Sequence, residues 1–167
     1  VPFRFNLFDR EISGPKMLRN ALSESLKKAM RSQDKVAIST LRLVLAALKD
    51  RDIAARTGSE TPDLGDGKIL SMLETMVKQR RESIKMYEMG DRPELAEQER
   101  SEIAIIEQFL PKQLNNGEIE TAVAIAIAEV GADSLKKMGK VMANLRQNYA
   151  GQMDFGKAGA IAKKYLK

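Results

Sequence analysis

Eight cationic side chains stand in the last thirty-six residues (Lys136, Lys137, Lys140, Arg146, Lys157, Lys163, Lys164 and Lys167) against two acids, Asp133 and Asp154. The local net charge is therefore +6 where the whole chain carries +5, which leaves residues 1–131 at −1. Ammonium and guanidinium groups at this density hold phosphate oxygens without help from a cofactor, so a polyanion is the first partner to consider. The same residues also read as a solvated, solubilising surface. The densest run, Lys136-Lys137-Met138-Gly139-Lys140, falls at the predicted start of a sixth helix, where free backbone N–H groups and the positive dipole end favour phosphate. Gly139 inside that helical pattern costs about 1 kcal/mol against alanine and implies close approach by another backbone, either a neighbouring helix or a bound nucleic acid. In the turn Gly151 to Lys157 (GQMDFGK), Asp154 is placed to cap a last helix on which Lys157, Lys163 and Lys164 extend the cationic surface. No base-reading pattern accompanies these cations. Phe155, Tyr165 and Tyr149 are the few aromatics, and Phe155 reads as core, so folded RNA suits the surface better than a stacked single strand.

A second concentration of charge, Lys78 to Ser83 (KQRRES) with Lys85, sits beside an acid-rich fourth helix carrying Glu94, Glu97, Glu99, Glu102 and Glu107. Arg80 falls on the apolar stripe between Met76 and Ile84, and a buried cation needs a carboxylate, here Glu99 or Glu102. This run is read as chiefly structural.

What is missing narrows the chemistry further. The chain has no cysteine and no histidine, which removes disulfides, thiolate nucleophiles, the Ser/His/Asp and Cys/His arrangements and the usual transition-metal ligands. No catalytic residue, cofactor or metal is assigned. With 43% hydrophobic and 31% charged residues among 167, the composition is that of a globular protein. The longest apolar piece, Val123 to Val130, is far short of the roughly 20 residues that span a bilayer, and Glu129 interrupts it. No membrane role and a cytoplasmic location are expected. Residues 1–16 hold three of the five phenylalanines and are read as an extension, natural or added, to a chain whose first helix begins near Met17.

The periodicity predicts helices throughout: about Lys16 to Arg31, Asp34 to Arg56, Asp66 to Met89, Asp91 to Leu110, Asn115 to Gly131, Ser134 to Asn148 and a last one after Asp154. Thr57 to Gly67 (TGSETPDLGDG) is a loop. Asp91 with Glu94, and Asn115 with Glu118, have capping-box spacing. The expected architecture is all-α, with an N-terminal bundle of long helices (17–110) and a small C-terminal three-helix domain (111–167) that begins at the link PKQLN.

Five segments, Ser39 to Lys49 (STLRLVLAALK), Val77 to Ile84 (VKQRRESI), Glu102 to Leu114 (EIAIIEQFLPKQL), Gly131 to Met142 (GADSLKKMGKVM) and Gly151 to Lys157, resemble the YqeY family in order and spacing. The resemblance covers Met17 to Lys167. It implies a three-helix domain similar to the tail of the B subunit of aspartyl/glutamyl-tRNA amidotransferase, which contacts the tRNA body while amide transfer belongs to other domains and subunits. It also implies the family's label, carbon–nitrogen ligase activity with glutamine as amido donor, for which the residues show no apparatus. Where family members commonly have Gly-Arg-Ala-Asp, this chain has Gly151, Gln152, Met153 and Asp154, so neutral Gln152 replaces a phosphate contact. The expected function is non-catalytic tRNA binding through Lys136, Lys137, Lys140, Arg146, Lys157, Lys163 and Lys164, with an amidotransferase or aminoacyl-tRNA synthetase as a possible further partner. A contribution to transamidation and a protein-interaction module, using the acidic fourth helix, exposed methionines or the Phe-rich start, are the alternatives.

Overall fold

A computed structural model describes residues 17–57 and 64–166, so the expectations for residues 1–16, for most of the predicted loop and for Lys167 lie outside it. The described residues form α1 (Met17–Ser32), α2 (Lys35–Arg56), α3 (Asp66–Met89), α4 (Pro93–Glu107), α5 (Asn116–Val130), a single 3-10 turn (Leu135–Lys137), α6 (Met138–Asn148) and α7 (Phe155–Tyr165), with no strand among them. The protein is all-α. The chain divides into two compact units, one ending at Pro111 and the other starting at Lys112.

In the first unit, α1 packs on α2, α3 on α4, and α2 on α4. The α2 stripe is buried at Ala37, Leu41, Val44 and Leu48, with Leu45 only half-buried. On α3 the buried stripe stops at Val77. Met76 just before it and Ile84 and Tyr87 beyond it are partly exposed, and ion pairs add to the contact with α4. Two helices end at left-handed residues that are not glycine, Gln33 (φ 57°) and Asp91 (φ 53°). The next amide in each case bonds back five residues, Asp34 N–H to Ala29 O at 3.0 Å and Arg92 N–H to Tyr87 O at 2.8 Å, which satisfies carbonyls orphaned at the helix end. This corrects the expected cap at Asp91. A left-handed Asp91 closes α3 and cannot adopt the extended N-cap geometry, so α4 starts at Pro93 after Arg92 with no side-chain cap. Glu94 instead accepts from Arg92 Nε at 2.6 Å. The helix also ends earlier than its periodicity suggests, at Glu107, and Phe109 rather than Leu110 is buried beyond it.

In the second unit, α5, α6 and α7 contact one another pairwise. Their shared core holds Ile119, Val123 and Ala126 of α5, Val141 and Leu145 of α6, and Ala158 and Ala162 of α7. Asn115 and Glu118 form the reciprocal capping box, and Gly131 ends α5 at φ 62°, where only glycine avoids a Cβ penalty. The link is not loose: Leu114 N–H donates to Gln152 O at 2.8 Å and the Gln113 amide to Gly151 O, which ties residues 113–114 to the turn before α7.

Candidate nucleic-acid interface

The sixth helix begins later than its sequence pattern suggests, and the reason lies in Lys137. After Gly131 reverses the chain, Lys137 Nζ donates to Gly131 O at 2.9 Å and lies 3.2 Å from Asp133 Oδ1. Residues 135–137 are thereby drawn into a 3-10 turn, and α6 proper starts at Met138. The hydrogen bond from Lys137 holds the Asp133 carboxyl below its ordinary range. Lys137 is therefore a brace of the α5–α6 turn. Its neighbour Lys136 points no bond inward and is exposed.

Lys136, Lys140, Lys157, Lys163 and Lys164 are all exposed and have no ion-pair partner among the described residues. Arg146, also exposed, places its guanidinium 5.8 Å from the centroid of the Phe155 ring, a cation–π contact that joins α6 to the start of α7 and leaves the charge uncompensated. Apart from Glu120, which is exposed on α5, the local acids are committed elsewhere. Glu118 serves the capping box, Asp154 caps α7 through Gly156 N–H at 2.8 Å, Glu129 accepts from Asn144 at 3.0 Å, and Asp133 holds Lys137.

The outward side of α6, opposite buried Val141, Met142 and Leu145, carries Gly139, Lys140, Ala143, Arg146 and Gln147, all exposed. A Cβ built on Gly139 meets nothing within 4 Å. A neighbouring helix therefore does not account for this glycine. In the following turn, Gly151 has φ 75°, Met153 is buried in the three-helix core, and Gln152 is half-exposed. Gln152 and Met153 thus give the surface of this turn a neutral side chain and the core a large one.

The cations of the first unit are arranged differently. Arg80 Nε donates to Glu102 Oε2 at 2.9 Å and lies 3.9 Å from Glu99 Oε2, while Nη1 donates to Met76 O at 3.2 Å. Burial, reinforced by the Glu102 charge, pushes the Glu99 carboxyl up despite Arg80. Arg81 reaches Glu107 at 2.8 Å, and Arg100 pairs with Glu88. Lys78 and Lys85 are exposed without an ion-pair partner among the described residues. One pair went unforeseen: Arg19 donates twice to Asp52, at 2.7 and 3.0 Å, and Leu64 N–H adds a third bond at 3.1 Å. Asp52 is 7% exposed, and its carboxyl is held down chiefly by the Arg19 hydrogen bond. Its position, four residues beyond Leu48 on the buried face of α2, was the available signal, the same one that marks Arg80.

Among the described residues there is no group of three or more acids that could hold a metal ion, and no helix is long and apolar enough to cross a membrane.

The family model described as Yqey-like protein matches residues 19–166. The chain belongs to the YqeY family. It is 30% identical over 99 residues, 59% of its length, to an uncharacterized protein of Schizosaccharomyces pombe, of which the match covers 76%. Two fungal proteins named altered inheritance of mitochondria protein 41, mitochondrial, are also similar. The one from Lachancea thermotolerans is 30% identical over 111 residues, 65% of this chain and 57% of that protein. The one from Clavispora lusitaniae is 26% identical over 152 residues, 89% of this chain and 85% of that protein. This YqeY-family chain thus spans little more than half the length of the Lachancea relative it matches.

Proposed function

We propose that this protein is a non-catalytic tRNA-binding protein whose second unit docks on folded tRNA through phosphate contacts. The observation that carries this reading is the set of exposed cations, Lys136, Lys140, Arg146, Lys157, Lys163 and Lys164, left without acidic partners among the described residues while Glu118, Asp133 and Asp154 cap helices and brace a turn. Uncompensated charge of this kind binds polyanions by releasing their condensed counterions. Structured RNA is recognised through its wide, shallow minor groove and its phosphates, and the small exposed residues Gly139 and Ala143 between cations permit a backbone to come close. Lys137, engaged with Gly131 and Asp133, drops out of the contact set. The reading does not depend on a cytoplasmic location, since tRNA is equally a mitochondrial molecule and the similar fungal proteins carry that compartment in their names.

The test is a gel-shift titration with deacylated tRNA at low salt. The native chain binds, and the combined substitutions Lys136→Gln, Lys140→Gln and Lys164→Gln weaken binding without unfolding the bundle. Absence of binding by the native chain overturns the proposal. Incubation with misacylated tRNA, glutamine and ATP gives no amidated product; product formation would replace this reading with a direct part in transamidation.

A further inference from the structure

Helix α2 carries Lys35, Arg42, Lys49 and Arg56, a cation at every seventh position along nearly its whole length, and all four are exposed. Seven residues advance a helix by about 10.5 Å and rotate it almost two full turns, so the four charges form one row about 31 Å long, drifting only slightly around the axis. We infer that this row is a second phosphate-tracking surface, on the first unit, for a structured RNA backbone. That the anion is RNA rests on the function proposed above, but the row itself is independent of the lysines in residues 136–164.

A solvated face is the alternative, and the pairing pattern argues against it. On α1 and α4 several exposed cations are matched within a turn: Lys27 with Glu24 on α1, Arg100 with Glu97 on α4, and Arg92 with Glu94 at its start. Around the α2 row, the positions three and four residues away within the helix are Ile38, Ser39, Leu45, Ala46, Ile53 and Asp52. Asp52 is the sole acid among them, and its carboxylate is buried against Arg19. Arg56 helps hold Asp52 ionised, while Lys35, Arg42 and Lys49 have no ion-pair partner among the described residues. Spacing beyond the Debye length of about 8 Å lets each cation act separately, which suits a lattice that offers anionic charge at every point along its length. A membrane surface fits less well, because the continuous apolar stripe of α2 (Ala37, Leu41, Val44 and Leu48) is already buried in the protein and only Val36, Leu43 and Ile53 are exposed large hydrophobics on this helix.

The experiment compares tRNA affinity across salt concentrations for the full chain, for a Lys35→Gln, Arg42→Gln, Lys49→Gln variant, and for the second-unit variant. Arg56 is kept because it supports Asp52. Helix content and thermal unfolding of the α2 variant should match the native chain. Its log–log salt slope should become shallower by about 2 to 3, with affinity at least about tenfold lower near 0.1 M salt. Unchanged slope and affinity in the α2 variant, with loss only in the second-unit variant, overturn this inference and leave the proposed function standing. No tRNA binding by the native chain overturns both. Loss of binding to phosphatidylserine-containing vesicles alone, with tRNA binding intact, also overturns it and assigns the row to a lipid surface.

Discussion

In the first unit Arg19, Arg80, Arg81 and Arg100 each reach a carboxylate on another helix, whereas in the second Lys136, Lys140, Lys157, Lys163 and Lys164 reach none. The chemistry of the two cations contributes to the division, although exposed Arg42 and Arg146 have no carboxylate partner among the described residues. Guanidinium is weakly hydrated and offers a planar fork that fits a carboxylate, so it tolerates the partly buried seams between α1 and α2 and between α3 and α4. Ammonium is a compact, strongly hydrated charge that stays in water and is available there to an incoming anion. Lys137, half-exposed and bonded to Gly131 and Asp133, shows that the rule concerns local partners and not residue type alone.

Removing a carboxylate from a first-unit seam should have the largest effect on stability. Asp52→Ala or Glu102→Ala removes the carboxylate that hydrogen-bonds a cation at most about one-fifth exposed, 21% for Arg19 and 13% for Arg80. Each should cost about 3 kcal/mol in urea denaturation, while Lys136→Ala or Lys164→Ala should change stability by under about 0.5 kcal/mol. Equal losses in both units would erase the distinction drawn between them.

Acid should reach the first unit through the same pair. The Asp52 carboxyl is depressed below its ordinary value of 3.8, so its contribution is fully present above that pH and is lost as pH falls through the lower folded value. In Asp52→Asn the dependence of stability on pH below 3.8 should flatten, as read from denaturation midpoints at successive acidic pH values. An unaltered acid profile would mean that the Arg19 pair contributes little.

A smaller effect separates folding from binding in the second unit. Because a side chain at Gly139 meets open space, Gly139→Leu should raise stability by up to about 1 kcal/mol through helix propensity. Its tRNA affinity should fall even though no charge has changed. Unaltered affinity would show that nothing approaches α6 closely there.

The smallest shift is expected at Glu99, where burial and the neighbouring Glu102 charge disfavour ionisation and raise the pKa. The penalty applies at neutral pH and fades as pH falls through the raised value, so Glu99→Gln should stabilise the protein by about 0.5 kcal/mol at pH 7 and by less in acid. Destabilisation at pH 7 would instead assign Glu99 a net favourable part in holding Arg80.

Helix existence and the all-α class were legible because the apolar stripes of α2, α6 and α7 repeat at helical spacing and Asn115, Gly131 and Asp154 punctuate them. The Arg80 partnership was legible for a related reason, a cation on an apolar stripe beside a helix rich in glutamate. Boundaries set by tertiary or turn contacts were not. Asp91 carries the residue type and spacing of a cap, yet the bond from Arg92 N–H to Tyr87 O takes the chain through a left-handed turn first. Likewise, the bond from Lys137 to Gly131 O tightens the start of α6 into a 3-10 turn, and no helical periodicity encodes it. Met153 reads as a turn residue until the three-helix core that receives it is seen.

The salt dependence of tRNA affinity tests the central claim most directly. For the six second-unit cations alone, the log–log slope for the native chain should be about −4 to −5, and steeper if the α2 row also engages. Replacing Lys136, Lys140, Lys157 and Lys164 with glutamine should make it shallower by about 3, and Lys137→Gln alone should leave it unchanged. A native slope near zero, or one that the fourfold substitution does not move, would contradict a phosphate-docking role for this surface.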